Sequence, residues 1–144
     1  MMLFSEATGR KVVSTETATS VGVVADYVVD PTLPGVVALT LAKTAGQGST
    51  LPWPGITAFG ADAVTVSTAA AVVAPDARLV ELAGKSHALV GKRVLSTAGV
   101  ALGSVLDVDF DPGSGRLAAL LLAGGPIDAT RLLGVGSYAA IVRA

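Results

Sequence analysis

Cysteine does not occur in the 144 residues, which excludes disulfides, thiolate nucleophiles and thiolate-held metals, and leaves nothing in the redox chemistry that marks an extracellular protein. Histidine occurs once, at His87, so neither a His-based metal site nor a Ser-His-Asp triad can be assembled within one chain. Aromatics are scarce, with three Phe, two Tyr and one Trp, and this argues against a surface that stacks nucleic-acid bases. Charge is sparse and balanced: 10 Lys and Arg face 11 Asp and Glu, a net charge of −1 that gives no overall field toward phosphate backbones or anionic lipid. Long apolar runs are missing too. The uncharged stretch 44–61 is broken by Gln47, two Pro and several Gly, and runs such as 117–127 fall well short of the ~18 residues that suggest a membrane span. The opening MMLFSEATGR has an acid at Glu6 and no apolar core after a basic start, so no signal peptide is expected and the cytoplasm is the expected location.

What the sequence does contain is apolar and repetitive. Hydrophobic residues make up 51% and the mean hydropathy is +0.67. Residues 21–41, VGVVADYVVDPTLPGVVALTL, return as residues 102–122, LGSVLDVDFDPGSGRLAALLL. Each copy reads as a strand, an Asp-Pro turn, a Gly and a second strand, which is a hairpin written twice. Asp30-Pro31 and Asp111-Pro112 end the first strand, because Pro cannot donate to a ladder, and Gly35 and Gly115 give permissive backbone before the second. GRKVVS at 9–14 introduces the first copy and GKRVLS at 91–96 the second. The copies are offset by 82 residues from Gly9 to Gly91, 81 from Val21 to Leu102, and 80 if Gly35 is set against Gly115. LPWPGITAFG at 51–60 then aligns without a gap onto GPIDATRLLG at 125–134, and AVTVS at 63–67 and YAAIVR at 138–143 supply a last strand each. Each half thus offers about five short strands separated by Gly, Pro, Asp and Ser. That pattern predicts a small barrel or sandwich, and closing a barrel removes the edges so apolar a chain would otherwise expose.

Each half lies near the lower size limit for an independent core, so the halves are expected to pack on each other or on a second copy. The expected organisation is a first repeat at 1–68, a linker at 69–88 and a second repeat at 89–144. The linker is Ala-rich and ends in DARLVELAGK, where Asp76 can cap a short helix, Leu79, Val80, Leu82 and Ala83 form an apolar side, and Gly84 can end it. Such a segment packs as a strap; a Ser/Gly tether would swing. The loop 43–50, KTAGQGST, has a much shorter counterpart near 123–125 and is a point of difference between the halves.

Candidate chemistry is thin. Asp107, Asp109 and Asp111 alternate and would share one face of a strand, but Pro112 and Ala118 stand where a calcium loop needs Gly and a bidentate Glu, so the expected reading is a solvated face and turn. The spacing of Gly134, Gly136 and Ala139 formally fits a dinucleotide fingerprint, yet only residues up to Ala144 follow, and a turn into the last strand is expected. His87 beside Ser86 has no carboxylate suggested by spacing and reads as linker packing. Lys85, Lys92 and Arg93, with Arg10 and Lys11 of the other copy, form a small basic patch only if a pseudo-twofold brings them together; otherwise they are solvated strand edges. Trp53, between two prolines, is the one residue to single out for partner binding, as an interface anchor. Its gapless counterpart Ile127 is also apolar, which favours core packing.

The ordered pattern of Gly91, Lys92, Val94, Leu102-Gly103, Val105, Asp107, Asp111-Pro112, Gly115 and 117–122 resembles the PRC-barrel domain family, which includes the barrel of the photosynthetic reaction-centre H subunit and the C-terminal domain of a ribosome maturation factor. The first copy carries it at Gly9, Val12, Val21-Gly22, Val24, Asp26, Asp30-Pro31 and 35–41. The resemblance implies an all-β chain of two PRC-type β-barrels in tandem, pseudo-twofold related, with no catalytic residues and no cofactor. It implies a protein-interaction scaffold or adaptor in a larger assembly such as the cell-division machinery or a membrane complex, bound to protein partners or to itself as a homodimer. The alternative is a ribosome- or RNA-associated assembly factor.

Overall fold

Short Val-rich segments in which every second residue is apolar bury one face and leave the other in water, and the chain folds mostly into strands. The computed structural model describes residues 1–46, 48–86 and 88–144. The first half contains β1 (Met2–Leu3), the one-turn helix α1 (Phe4–Ala7), β2 (Lys11–Ser14), β3 (Thr19–Asp30), β4 (Gly35–Ala42), β5 (Thr50–Pro52), β6 (Ala58–Phe59) and β7 (Ala63–Val66). Helix α2 (Ala77–Ser86) follows. The second half contains β8 (Arg93–Ser96), β9 (Ala101–Ser104), β10 (Asp107–Phe110), β11 (Leu117–Leu122), β12 (Gly125–Asp128), β13 (Leu132–Val135) and β14 (Ala140–Val142). No helix among the described residues is long and apolar enough to cross a membrane.

Strand pairing runs in the same order in both halves. β2 pairs antiparallel with β3 and parallel with β7, as β8 pairs with β9 and β14; β4 lies between β3 and β5, as β11 lies between β10 and β12. The bulge between Val12 and Val13 returns between Val94 and Leu95. In the first half β3 is one 12-residue strand, so the order β5-β4-β3-β2-β7-β6 forms a single sheet. In the second half the equivalent strand is interrupted after Ser104, which divides the strands between two four-stranded sheets, β1-β10-β11-β12 and β13-β14-β8-β9.

The register corrects the sequence alignment at two places. Val36 pairs with Val29 as Leu117 pairs with Phe110, so the offset stays at 81 (Val36 to Leu117) and Gly35 corresponds to Arg116 rather than to Gly115. Leu51 opposes Leu39 as Ile127 opposes Leu120, an offset of 76. The gapless match of 51–60 to 125–134 is therefore two residues out of step: the loop before β12 is shorter by five residues (81 to 76), where the gapless match requires seven (81 to 74). Trp53, which begins a 3-10 turn at Trp53–Gly55, has Ala129 as its counterpart, at the start of the turn Ala129–Arg131.

The halves meet in one continuous core. The two hairpin tips bond reciprocally: Val36 N–H donates to Gly115 C=O (2.8 Å), and its counterpart Leu117 N–H donates to Pro34 C=O (3.1 Å), around a bridge between Gly35 and Arg116. Contact of each surface with the other's counterpart is what an isologous interface requires. β1 leaves its own half and pairs with β10, Met2 opposite Phe110 and Leu3 opposite Asp109. The ring of Phe110, fully buried, lies 5.4 Å from Phe4, 5.6 Å from Phe59 and 6.2 Å from Tyr27, all in the first half.

Within residues 69–88 the helix α2 is capped and packs on β3 and β4. Asp76 caps α2 by accepting from Leu79 N–H (2.8 Å). Leu79, Leu82 and Ala83 face Val28, Val37 and Ala38 of β3 and β4, whereas Val80 points to solvent and the helix runs past Gly84 to Ser86. Arg78 pairs with the buried carboxylate of Asp30, whose pKa is held below the usual range first by the Thr32 hydroxyl and then by the guanidinium. Upstream, Val73 and Thr50 exchange both backbone bonds, at 2.8 and 3.0 Å.

Because the two halves share Phe110, truncation of this ring is felt by both. Phe110→Ala should cost about 3–5 kcal/mol, and urea unfolding followed separately by Trp53 fluorescence and far-UV circular dichroism should show one coincident transition in both proteins. Two separated transitions would mean that the halves hold independent cores.

Candidate interaction surface

Five of the six aromatics named above, all but Tyr138, gather at the junction of the halves. Phe4 stacks on Tyr27 with centroids 3.8 Å apart, and Trp53 stacks on Phe59 at 5.9 Å. Trp53 is half-buried and packs on the core, so the residue singled out for partner binding makes its main contacts within the chain. Its indole covers Gly115, where a Cβ would stand 3.0 Å from the ring and 2.9 Å from Val36 O. Gly115 also has φ +81°, a conformation L side chains rarely adopt, so two constraints require glycine there. The outer edge of the indole lines a shallow hollow with Phe59, Pro112 and Gly113.

The basic residues are dispersed. Arg10 donates to Gly60 C=O (2.8 Å) and its counterpart Lys92 donates to Gly136 C=O (2.8 Å), so each ties down the turn before the last strand of its own half. Lys85 pairs with Glu81 on the next turn of α2, at 3.2 Å. Arg93 is exposed, lies 4.9 Å over the Tyr138 ring and donates to the Tyr138 hydroxyl at 2.7 Å. Lys11 is exposed on β2. The turn-clamping role of Arg10 and Lys92 was not visible from spacing, since Gly60 and Gly136 lie 50 and 44 residues away from them.

The three alternating acids do not converge. Asp107 accepts from the backbone N–H (3.1 Å) and the hydroxyl of Ser5, and Asp111 turns back to accept from Gly113 N–H (2.8 Å) and Ser114 Oγ (3.1 Å). Asp109 stands where the first half has Val28; α2 buries Val28, whereas Asp109 is half-buried. Among the described residues no three His, Cys, Asp or Glu side chains form a metal-holding group. Gly134 lies in β13, and Gly136 to Ala139 is the turn that joins β13 to β14, closed by Gly136 N–H donating to Ala139 C=O (3.0 Å). His87 lies outside the described residues.

The surface that distinguishes the halves is apolar. Val90, Val100, Leu106, Leu133 and Tyr138 are all exposed, from 43% for Val90 to 69% for Tyr138. Their counterparts in the first half, also exposed, are Thr8, Thr19, Ala25, Thr57 and Asp62. Val90 and Leu106 line an open cleft of about 360 Å³ between the halves, together with the paired positions Asp26 and Asp107. Val90 also lines an adjoining hollow with Lys92, Arg93, Ser104 and Tyr138. Below the cleft the Tyr27 hydroxyl donates to Phe4 C=O (2.9 Å) and meets Thr8 Oγ1 at 3.0 Å, and burial pushes its pKa up to about 12, with the Thr8 bond opposing.

The folded state therefore favours the neutral phenol, and this contribution is complete below the ordinary tyrosine pKa near 10 and is lost as pH rises through about 12. Tyr27→Phe should be less stable by about 1 kcal/mol at pH 7 yet lose less stability than wild type between pH 9.5 and 11.5, measured by urea denaturation. Gly115→Ala should cost about 2 kcal/mol or more by the same assay, with Trp53 fluorescence shifted because the indole is displaced.

Among curated proteins nothing matches the chain. Residues 84–142, from the end of α2 to the end of β14, match the model of the PRC-barrel domain.

Proposed function

We propose that the chain is a tandem of two PRC-type units and that it works as a non-enzymatic scaffold, binding protein partners through the second half. The observation that carries this reading is the set of five exposed positions where the second half has Val90, Val100, Leu106, Leu133 and Tyr138 and the first half has Thr8, Thr19, Ala25, Thr57 and Asp62. The same backbone positions tolerate small or polar residues in one half, so folding does not require large apolar side chains there. Exposed apolar groups at such positions lower solubility and find their use in contacts with other molecules. An RNA-binding role draws less support, because Arg10 and Lys92 are occupied by backbone carbonyls and Lys85 by Glu81.

The internal repeat supplies its own control. A variant carrying Val90→Thr, Val100→Thr, Leu106→Ala, Leu133→Thr and Tyr138→Asp places first-half residues on the second half and should keep its secondary structure by circular dichroism. Affinity capture with wild-type and variant baits, with and without nuclease, should recover partner proteins that survive nuclease and are lost with the variant. Equal recovery by both baits would reject the second-half surface as the binding site, and loss on nuclease treatment would point to RNA.

A further inference from the structure

The surface around Val90 and Leu106 has a built-in polarity. On one side lies the cleft holding Asp26 and Asp107; on the other, the hollow holding Arg93 and Tyr138; Ala88 and Val90 border both. The order across the face is acidic, apolar, basic. A face of that order is complementary to itself when turned through a twofold axis at its apolar centre, since each acidic end then meets a basic end. The guanidinium of Arg93 is exposed and rests on an aromatic ring, and an arginine so held keeps N–H groups directed outward for a carboxylate. Leu106, 61% exposed, lines the cleft next to Val90, its backbone fixed by Leu106 N–H donating to Leu121 C=O (2.7 Å).

We propose that this face binds a second copy of the chain in an isologous dimer, Val90 and Leu106 packing against their own images and Arg93 of each copy approaching the Asp26 side of the other. The inference rests on the reading of the second half as an interaction surface and assigns its first occupant. Charge order selects the second copy over an unrelated apolar partner, because the complement of this face is already present in the same molecule.

Sedimentation of the intact chain between about 1 and 100 μM tests it. Wild type should be dimeric at the upper end. Leu106→Ala, which installs the residue of the counterpart Ala25, should be monomeric over the range with unchanged circular dichroism. Arg93→Glu and Asp26→Lys should each be monomeric, and mixing them in equal amounts should restore the dimer, since in that pair both cross-axis contacts again join opposite charges. A folding defect cannot produce rescue on mixing. A wild type that stays monomeric, a dimer that survives Leu106→Ala and Arg93→Glu, or a mixture that stays monomeric would each overturn the proposal. Failure of the scaffold reading is separately visible: a dimer with this behaviour whose affinity capture recovers no protein but itself keeps the self-association and removes the adaptor role.

Discussion

The contact on which the structure depends is the ring of Phe110 set among Phe4, Phe59 and Tyr27. A half-chain of this size buries a marginal apolar interior, and here the two halves share one core. Phe110 belongs to the second half by sequence and to the first by environment. Its counterpart Val29 is buried as well, so the position is interior in both halves and is filled by the larger side chain in one. The scarcity of aromatics in the composition thus conceals their concentration: the few rings present are placed where two cores fuse, and there their large apolar area contributes most.

From that fusion follow the departures from symmetry. β1 crosses to extend the sheet of the second half, and α2 lies across β3 and β4 of the first. The helix explains why one hairpin alternates Asp26, Val28 and Asp30 where the other alternates Asp107, Asp109 and Asp111: a carboxylate under Leu79 would be buried without a partner, whereas Asp109 is only half-buried. Asp30 is the buried exception, and it is satisfied by Thr32 and Arg78. The clamps made by Arg10 and Lys92 belong to the symmetric part of the design, since each fastens the turn between the last two strands of its own half.

Comparison of the halves also separates what the fold needs from what it leaves open. Ser14 and Ser96 are buried at matching ends of β2 and β8, and each Oγ accepts from the backbone of the following turn, so that residue serves the fold in both places. Val90, Leu106 and Tyr138 have no such requirement, because Thr8, Ala25 and Asp62 occupy the same sites without loss of structure. All three lie on the second half, within the segment that matches the PRC-barrel domain.

The sequence by itself determined the mostly-β character, the repeated hairpin with its Asp-Pro turns, the capped helix at 77–86 and the resemblance of the second half to the PRC-barrel domain. All of these are local: period-two burial, a proline that cannot donate, an Asp that accepts the first free N–H of a helix. Tertiary structure alone decided the equivalences after the loop at 43–50, where strand register replaced a gapless alignment and moved Trp53 from Ile127 to Ala129. It alone decided that β1 leaves its half, that Val80 turns outward while Leu79 turns in, and that Arg10 and Lys92, one of each basic pair, hold carbonyls 50 and 44 residues away. Those outcomes depend on which surfaces meet, and a linear pattern carries the spacing of side chains along one strand but not the identity of the chain that lies across it.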